Sequence, residues 1–133
     1  MDKEYGGLET LRVWQAAMAF VETIYHEVIP HLPSNERFAL RDQLQRAVQS
    51  IPANLAEGYG RYHFADRIRF CYIARGSVEE VFTFLEIARR LNYISEDNHR
   101  QVQQELQRVK QMINGYIRYL RSQQHTQHTS PKK

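Results

Sequence analysis

The spacing of apolar residues constrains the fold of this chain more than any other feature. In four successive segments, apolar side chains recur at intervals of three and four residues, which places them along one side of an α-helix. No segment shows the strict alternation that is typical of a half-buried strand. The four apolar seams are Leu11, Trp14, Met18, Val21, Tyr25 and Val28, which Ala17 and Ile24 widen; Leu40, Leu44, Val48, Ile51 and Leu55; Cys71, Ala74, Val78, Val81, Leu85 and Ala88; and Val102, Leu106, Val109, Ile113, Tyr116 and Leu120.

Short segments that disfavour helix separate the four seams. Pro30 and Pro33 follow the first seam, glycines follow the second, and Ser34 or Asn35 can cap the next helix, as Ser95 can cap the last. Because short connections make successive helices neighbours, we predict an all-α fold, an antiparallel up-down-up-down four-helix bundle. The predicted helices cover about 8–29, 35–59, 63–91 and 95–122.

The composition is that of one ordinary globular domain. The chain has 133 residues, of which 42% are hydrophobic and 25% charged, and this length is enough to bury a core without a metal or a disulfide. We predict a single domain over 1–122 and a disordered tail over 123–133, where the sequence is polar. The first seven residues are predicted to be disordered as well.

Three features favour a cytoplasmic location over secretion or a membrane. Cys71 is the only cysteine, so an intrachain disulfide is excluded and a reducing compartment is favoured. The first ten residues lack the apolar core of a signal peptide. No apolar run approaches the roughly 20 residues that a membrane-spanning helix needs, so we expect no membrane partner.

The net charge of +3 is distributed unevenly along the chain. Residues 1–33 carry a net charge of −3, whereas residues 95–133 carry +4. Such an asymmetry is compatible with a polyanionic partner, although a solvated basic helix face is the commoner cause. The candidate nucleic-acid contacts on the fourth helix are Arg100, Arg108, Lys110, Arg118 and Arg121.

The run from Gln43 to Arg61 departs from a simple core-forming helix. Pro52 stands in its middle and predicts a kink, because proline removes a backbone hydrogen bond. Polar side chains, among them Ser50, Asn54 and Glu57, form a stripe beside the apolar seam rather than opposite it. We interpret this stripe as a contact with a neighbouring helix or subunit, and Arg61 stands one turn after Glu57, where it can pair with it.

The third helix has more apolar residues than one seam requires. Four apolar residues point away from its seam and would leave an apolar patch in water, which predicts a homo-oligomer rather than a monomer. They are Phe70, Ile73, Phe84 and Ile87. Gly76 interrupts the same helix at a cost of about 1 kcal/mol relative to alanine. A close approach by the backbone of another helix would explain this glycine.

No pattern of catalytic residues is present. A di-iron bundle needs two Glu-x-x-His pairs, and the sequence has one, from Glu96 to His99. Ser50 has no histidine placed to activate it, and Cys71 lies on a core seam, where a buried and unreactive thiol is expected. We therefore expect no enzymatic activity, no metal site and no cofactor.

Two sequence elements resemble a bacterial protein family. The run SIPANLAEGYGR and the later ARGSVEE resemble the four-helix-bundle proteins encoded in intervening sequences of 23S rRNA genes, and the resemblance covers roughly residues 8–120. It implies assembly as a homopentameric barrel. We assign the signature positions to polar contacts and close packing between the second and third helices, within or between subunits. These positions are Ser50, Asn54, Glu57, Gly58, Gly76, Ser77 and Glu80.

The family is also similar to the accessory variability proteins of diversity-generating retroelements, which implies a function. Those pentamers bind a reverse transcriptase and nucleic acid, so the resemblance implies a non-enzymatic pentamer that binds RNA or another nucleic acid. A charge of +3 per chain is weak for such a role, but a pentamer would carry about fifteen positive charges. The alternative is an interaction scaffold that binds only protein.

Overall fold

The computed structural model describes residues 7–129 and contains four α-helices. They are α1, Arg12–Glu27; α2, Leu40–Tyr59; α3, Phe64–Arg90; and α4, Glu96–Thr129. None of the described residues forms a strand. Each helix packs against the next in sequence, and α4 also packs against α1, so the four helices surround one core. The prediction of an all-α four-helix bundle is confirmed.

The core follows the predicted seams in α2, α3 and α4, and only part of the prediction for α1. The residues that α1 buries are Val13, Ala17, Phe20 and Ile24, of which Ala17 and Ile24 were predicted to widen the seam, whereas Met18 of the predicted seam is 39% exposed. Most other seam residues of α1 are only partly buried against the core, so the centre of the predicted seam lies about a quarter turn from the centre of the buried face. The reason is that α1 has apolar side chains on two adjacent faces, and periodicity alone does not decide which face packs inward.

The ends of the first two helices also differ from the prediction. The predicted helix 8–29 consists of a 3₁₀ turn, then α1, then a second 3₁₀ turn over Ile29–His31. The predicted helix 35–59 begins later, at Leu40, and neither Ser34 nor Asn35 caps it. Instead, the carboxylate of Glu36 accepts hydrogen bonds from the Leu40 backbone N–H at 3.3 Å and from the Tyr93 hydroxyl at 2.7 Å.

The last helix begins as predicted and ends later than predicted. The Asn98 backbone N–H donates to Ser95 Oγ at 3.0 Å, which is the expected cap. Helix α4 continues to Thr129, so the prediction of a disordered tail from residue 123 is wrong for 123–129. The rest of that tail, 130–133, and residues 1–6 at the other terminus lie outside the described residues.

A charged cluster joins the end of α3 to the start of α4. Glu86 accepts hydrogen bonds from Arg89 at 2.6 Å and from Arg90 at 3.0 Å, and its other oxygen lies 3.2 Å from Nε2 of His99. The hydrogen bond from Arg89, followed by that from Arg90, lowers the pKa of Glu86 from 4.5 to about 2. The ionised carboxylate therefore pairs with two arginines of its own helix, and its contact with His99 links α3 to the start of α4.

This cluster predicts a specific acid sensitivity. Because the folded-state pKa of Glu86 is lowered, its contribution to stability is present above pH 4.5 and is lost as the pH falls toward about 2. We expect the thermal midpoint, followed by circular dichroism, to fall more steeply over this interval in the wild-type protein than in Glu86→Gln. Parallel curves for the two proteins would contradict this assignment.

Among the described residues, no helix combines the length and the apolar character that crossing a membrane requires.

Candidate nucleic-acid interface

The polar stripe of α2 faces α3, where two serines meet. The hydroxyls of Ser50 and Ser77 are hydrogen-bonded across the helix pair, and Ser77 is buried. On α2, the side chain of Asn54 donates to the backbone carbonyl of Ser50 at 2.8 Å. Three of the signature positions are thus brought together within one chain, where their polar groups satisfy one another.

The close approach of helices occurs at Gly58 rather than at Gly76. A Cβ at Gly58 would lie 2.9 Å from Cβ of Phe70 and 3.1 Å from the carbonyl oxygen of Arg67, so only glycine fits without a shift of α3. A Cβ at Gly76 would meet none of the described atoms within 4 Å. The approach predicted at Gly76 is therefore not made by another helix of this chain, which leaves that position open to a neighbouring molecule.

Two further signature positions lie on the surface. Glu57 accepts a hydrogen bond from Arg61 at 2.8 Å, as the spacing of one turn predicted, and both side chains are about half exposed. Exposed pairs of this kind stabilise a helix by only about 0.3–0.5 kcal/mol. Glu80 is exposed beside Phe84 at a groove of about 330 Å³ between α2 and α3.

The extra apolar residues of α3 divide into two groups. Phe70 is half-buried and lies between the guanidinium groups of Arg61 and Arg69, and Phe84 packs against the core. Ile73 is 43% exposed and Ile87 38% exposed, on the outer side of α3. The predicted patch is thus smaller than expected, because the chain itself partly covers both phenylalanines.

A second apolar surface lies on the other side of α2. Trp14 and Met18 of α1 line a groove of about 330 Å³ with Pro52 and Ala56 of α2. This groove exists because Trp14 and Met18 lie at the edge of the buried face of α1, where Trp14 packs partly against the core and Met18 is exposed. The prediction placed these two residues at the centre of the buried face, whereas the structure places them at its edge.

The five cations predicted on α4 are not equivalent. Arg100 pairs with Asp97 one turn earlier, and Nζ of Lys110 lies 2.6 Å from the carboxylate of Glu79. Arg108, Arg118 and Arg121 are exposed. Two of the five candidate contacts therefore already have a carboxylate partner.

The fold places additional arginines beside the last two members of this set. Antiparallel packing brings the start of α1, the junction of α2 and α3, and the second half of α4 to the same end of the bundle. We call this end, formed by residues 7–19, 50–77 and 113–124, the arginine end. Its charged residues are the arginines Arg12, Arg61, Arg67, Arg69, Arg75, Arg118 and Arg121 and the acids Glu9, Glu57 and Asp66.

The charge of the described helices is therefore segregated along the bundle axis. Seven arginines against three acids give the arginine end a formal charge of +4, whereas the opposite half, 20–49 with 78–112, has eight basic and ten acidic residues. Counting charge along the chain detected only the part of this cluster that α4 supplies. The sequence feature that could have revealed the rest of the cluster is the repeated occurrence of arginine between residues 61 and 75.

Aromatic rings hold several of these arginines in place. The guanidinium groups of Arg75 and Arg121 lie 5.0 and 5.5 Å from the centre of the Tyr72 ring, and Arg75 also donates to Asn114 at 2.6 Å. Arg67 lies 5.2 Å from the centre of the Phe64 ring. Alternating cationic and aromatic groups are typical of surfaces that bind phosphates and unpaired bases.

The described part of the chain offers no assembled catalytic centre. No group of three His, Cys, Asp or Glu side chains in it is placed to hold a metal ion. Cys71 is buried, and burial raises the pKa of its thiol to about 11, so the thiol is protonated at neutral pH. The absence of enzymatic activity stays a prediction.

Comparison with known proteins decides the family. The model of the 23S rRNA-intervening sequence protein family matches residues 9–115, which is most of the chain. The chain belongs to that family. In this 23S rRNA-intervening sequence protein, the matched region includes all the signature positions between α2 and α3 and ends before Arg118 and Arg121.

A solved structure supports the fold of this family member. A protein of unknown function from the S23 ribosomal protein family of Bacteroides thetaiotaomicron VPI-5482 has a similar crystal structure, with a TM-score of 0.73 and 22% sequence identity. The similarity covers 80% of this chain and 95% of the other, and at this identity it shows the fold alone. No curated protein matches the chain.

Proposed function

We propose that this protein is a non-enzymatic, homo-oligomeric helical bundle that binds RNA or another nucleic acid through its arginine end. The observation that supports this function is the grouping of seven arginines at one end of the bundle, several of them held against aromatic rings. Arginine suits such a role because its planar guanidinium forms paired hydrogen bonds to phosphate and also stacks on bases.

Two apolar surfaces support assembly. The groove at Trp14 and Met18 and the outer side of α3 at Ile73 and Ile87 are different parts of one chain. If the groove of one copy receives the outer side of α3 from the next, the contact is head-to-tail, and it closes a ring when the rotation between successive copies is a whole fraction of a turn. A ring agrees with the homopentamer that the family resemblance implies.

A ring would concentrate the charge of the arginine ends. In a cyclic assembly whose bundles run along the ring axis, all subunits present the same end to the same face, so five copies would combine a formal charge of about +20 there, from +4 each. This arrangement would give the assembly a concentrated positive charge for binding nucleic acid, although each chain has a net charge of only +3. A reverse transcriptase is the protein partner that the resemblance to retroelement accessory proteins implies.

Two measurements test this proposal. Light scattering at micromolar concentration should give the mass of a pentamer, and a monomer would contradict the assembly. Filter binding across a salt series should show affinity for RNA that falls as the salt concentration rises. Absence of binding to RNA and DNA even at low salt would contradict the nucleic-acid role.

The alternative is an interaction scaffold that binds only protein, which the apolar groove beside Trp14 favours. Pull-down after nuclease treatment would support it if protein partners are recovered and no nucleic acid is protected. Neighbouring genes separate the biological roles. A reverse transcriptase gene with a template repeat would support the retroelement role, and a position inside a 23S rRNA gene would support the intervening-sequence role.

A further inference from the structure

A cleft opens at the arginine end, where the start of α1 meets the second half of α4. Its volume is about 470 Å³, which is within the usual range for sites that bind small molecules. Four aromatic rings and two arginines contribute to its lining, and none of the described residues that line it is acidic. These six side chains are Arg12, Tyr59, Phe64, Arg67, Tyr116 and Tyr119.

The tyrosines of the cleft provide a stacking surface. The rings of Tyr116 and Tyr119 are nearly parallel, with 13° between their planes and 6.4 Å between their centres. Tyr116 is half-buried against the core, whereas Tyr119 is 56% exposed. A supported and exposed ring beside a cavity is suited to stack against a planar ligand.

The arginines provide positive charge that can bind an anion in the same cleft. Arg12 is exposed at the first residue of α1. Arg67 is half-buried, donates from Nε to the carbonyl of Arg61 at 2.7 Å, and lies over the Phe64 ring, so its position is held by the fold. A ligand that contacts both the aromatic and the cationic side chains of the cleft has a planar aromatic part and a phosphate.

We propose that this cleft binds one unpaired nucleotide, with the base stacked on Tyr119 and the phosphate held by Arg12 and Arg67. The inference rests on the proposed nucleic-acid function and adds to it the location and the form of the ligand. A paired base would have to leave its stack to enter the cleft, which disfavours duplex RNA. The nucleotide belongs either to a single strand or to a free mononucleotide.

The test compares single-stranded RNA with a duplex of the same sequence by fluorescence anisotropy. We expect the wild-type protein to bind the single strand more tightly, and Tyr119→Leu to weaken single-strand binding about tenfold or more while duplex binding is unchanged. Tyr119→Phe keeps the ring and should retain the affinity. Tyr62→Leu is the matched control, because Tyr62 is 81% exposed near the same end but does not line the cleft.

The outcomes separate this inference from the proposed function. Absence of binding to RNA by the wild-type protein would overturn the proposed function, and absence of binding to adenosine monophosphate as well would also overturn the cleft. Equal affinity for single strand and duplex, unchanged in Tyr119→Leu, would overturn only the cleft. Equal losses in Tyr119→Leu and Tyr62→Leu would also overturn the cleft. Adenosine monophosphate that competes as strongly as the oligonucleotide would support a free nucleotide, and weaker competition would support a nucleotide within a strand.

Discussion

Gly58→Leu should destabilise the bundle by about 3 kcal/mol or more. Even the first carbon of a side chain at Gly58 would come within 2.9 Å of Cβ of Phe70 and 3.1 Å of a backbone carbonyl. Both atoms are attached closely to the backbone of α3, so they cannot rotate away, and α3 would have to move. Overpacking of a well-packed contact costs about 1–3 kcal/mol for a few methylenes, and leucine adds the volume of a larger side chain to this clash. Urea denaturation measures the change.

Gly76→Leu is the matched control, because no described atom lies within 4 Å of the corresponding Cβ. Within one chain this substitution should gain up to about 1 kcal/mol of helix stability. If a neighbouring subunit packs on the outer side of α3, however, the leucine should weaken the oligomer in light scattering. Wild-type stability of Gly58→Leu would contradict the close contact at Gly58, and unchanged assembly of Gly76→Leu would contradict a subunit contact at Gly76.

Removing three charges from the arginine end should reduce affinity for single-stranded RNA by about 10- to 100-fold at low salt. The variant is Arg69→Gln, Arg118→Gln and Arg121→Gln, which are exposed and do not line the cleft. If all three contact phosphates, the slope of log affinity against log salt should fall by about 2, since each contact contributes about 0.7 for a single strand. Filter binding at several salt concentrations gives both quantities.

The control removes the same charge from the opposite half of the bundle. Arg37→Gln, Arg46→Gln and Arg100→Gln change the net charge equally but lie outside the arginine end. We expect this variant to keep most of the affinity at about 0.1 M salt, because charges separated by more than the Debye length of about 10 Å at that ionic strength are largely screened. Equal losses in the two triple variants would show that net charge, rather than its position, governs binding.

The helix periodicity explains why the fold could be predicted and why α1 could not be oriented. In α2 and α4 a single apolar stripe faces polar residues, so the buried side follows from the sequence. Helix α3 carries further apolar residues, but its predicted seam is the side that is buried. In α1 the stripe through Trp14 and Met18 adjoins the stripe through Phe20 and Ile24. Both satisfy the helical period, and packing against α2 and α4 selects one of them. The face that is left over becomes the outer groove.

The connections between helices also could be predicted only in part from the sequence. Ser95 caps its helix because the capping hydrogen bond is local, within three residues. Ser34 and Asn35 do not cap α2, since Glu36 takes that role and also accepts a hydrogen bond from Tyr93, in the connection between α3 and α4. Glu36 and Tyr93 are 57 residues apart in the sequence. Their hydrogen bond depends on the tertiary fold, so it could not be predicted from local capping rules.

The sequence by itself determined the helix class, the number of helices, the core of three of them and the family resemblance, because these depend on local periodicity and short motifs. Only the tertiary structure decided that Gly58, rather than Gly76, is the point of close approach, since this depends on where two helix axes meet. It also decided that Arg12, Arg67 and Arg121 share one end of the bundle. These arginines are far apart in sequence, and the antiparallel reversal of successive helices is what brings their charges together.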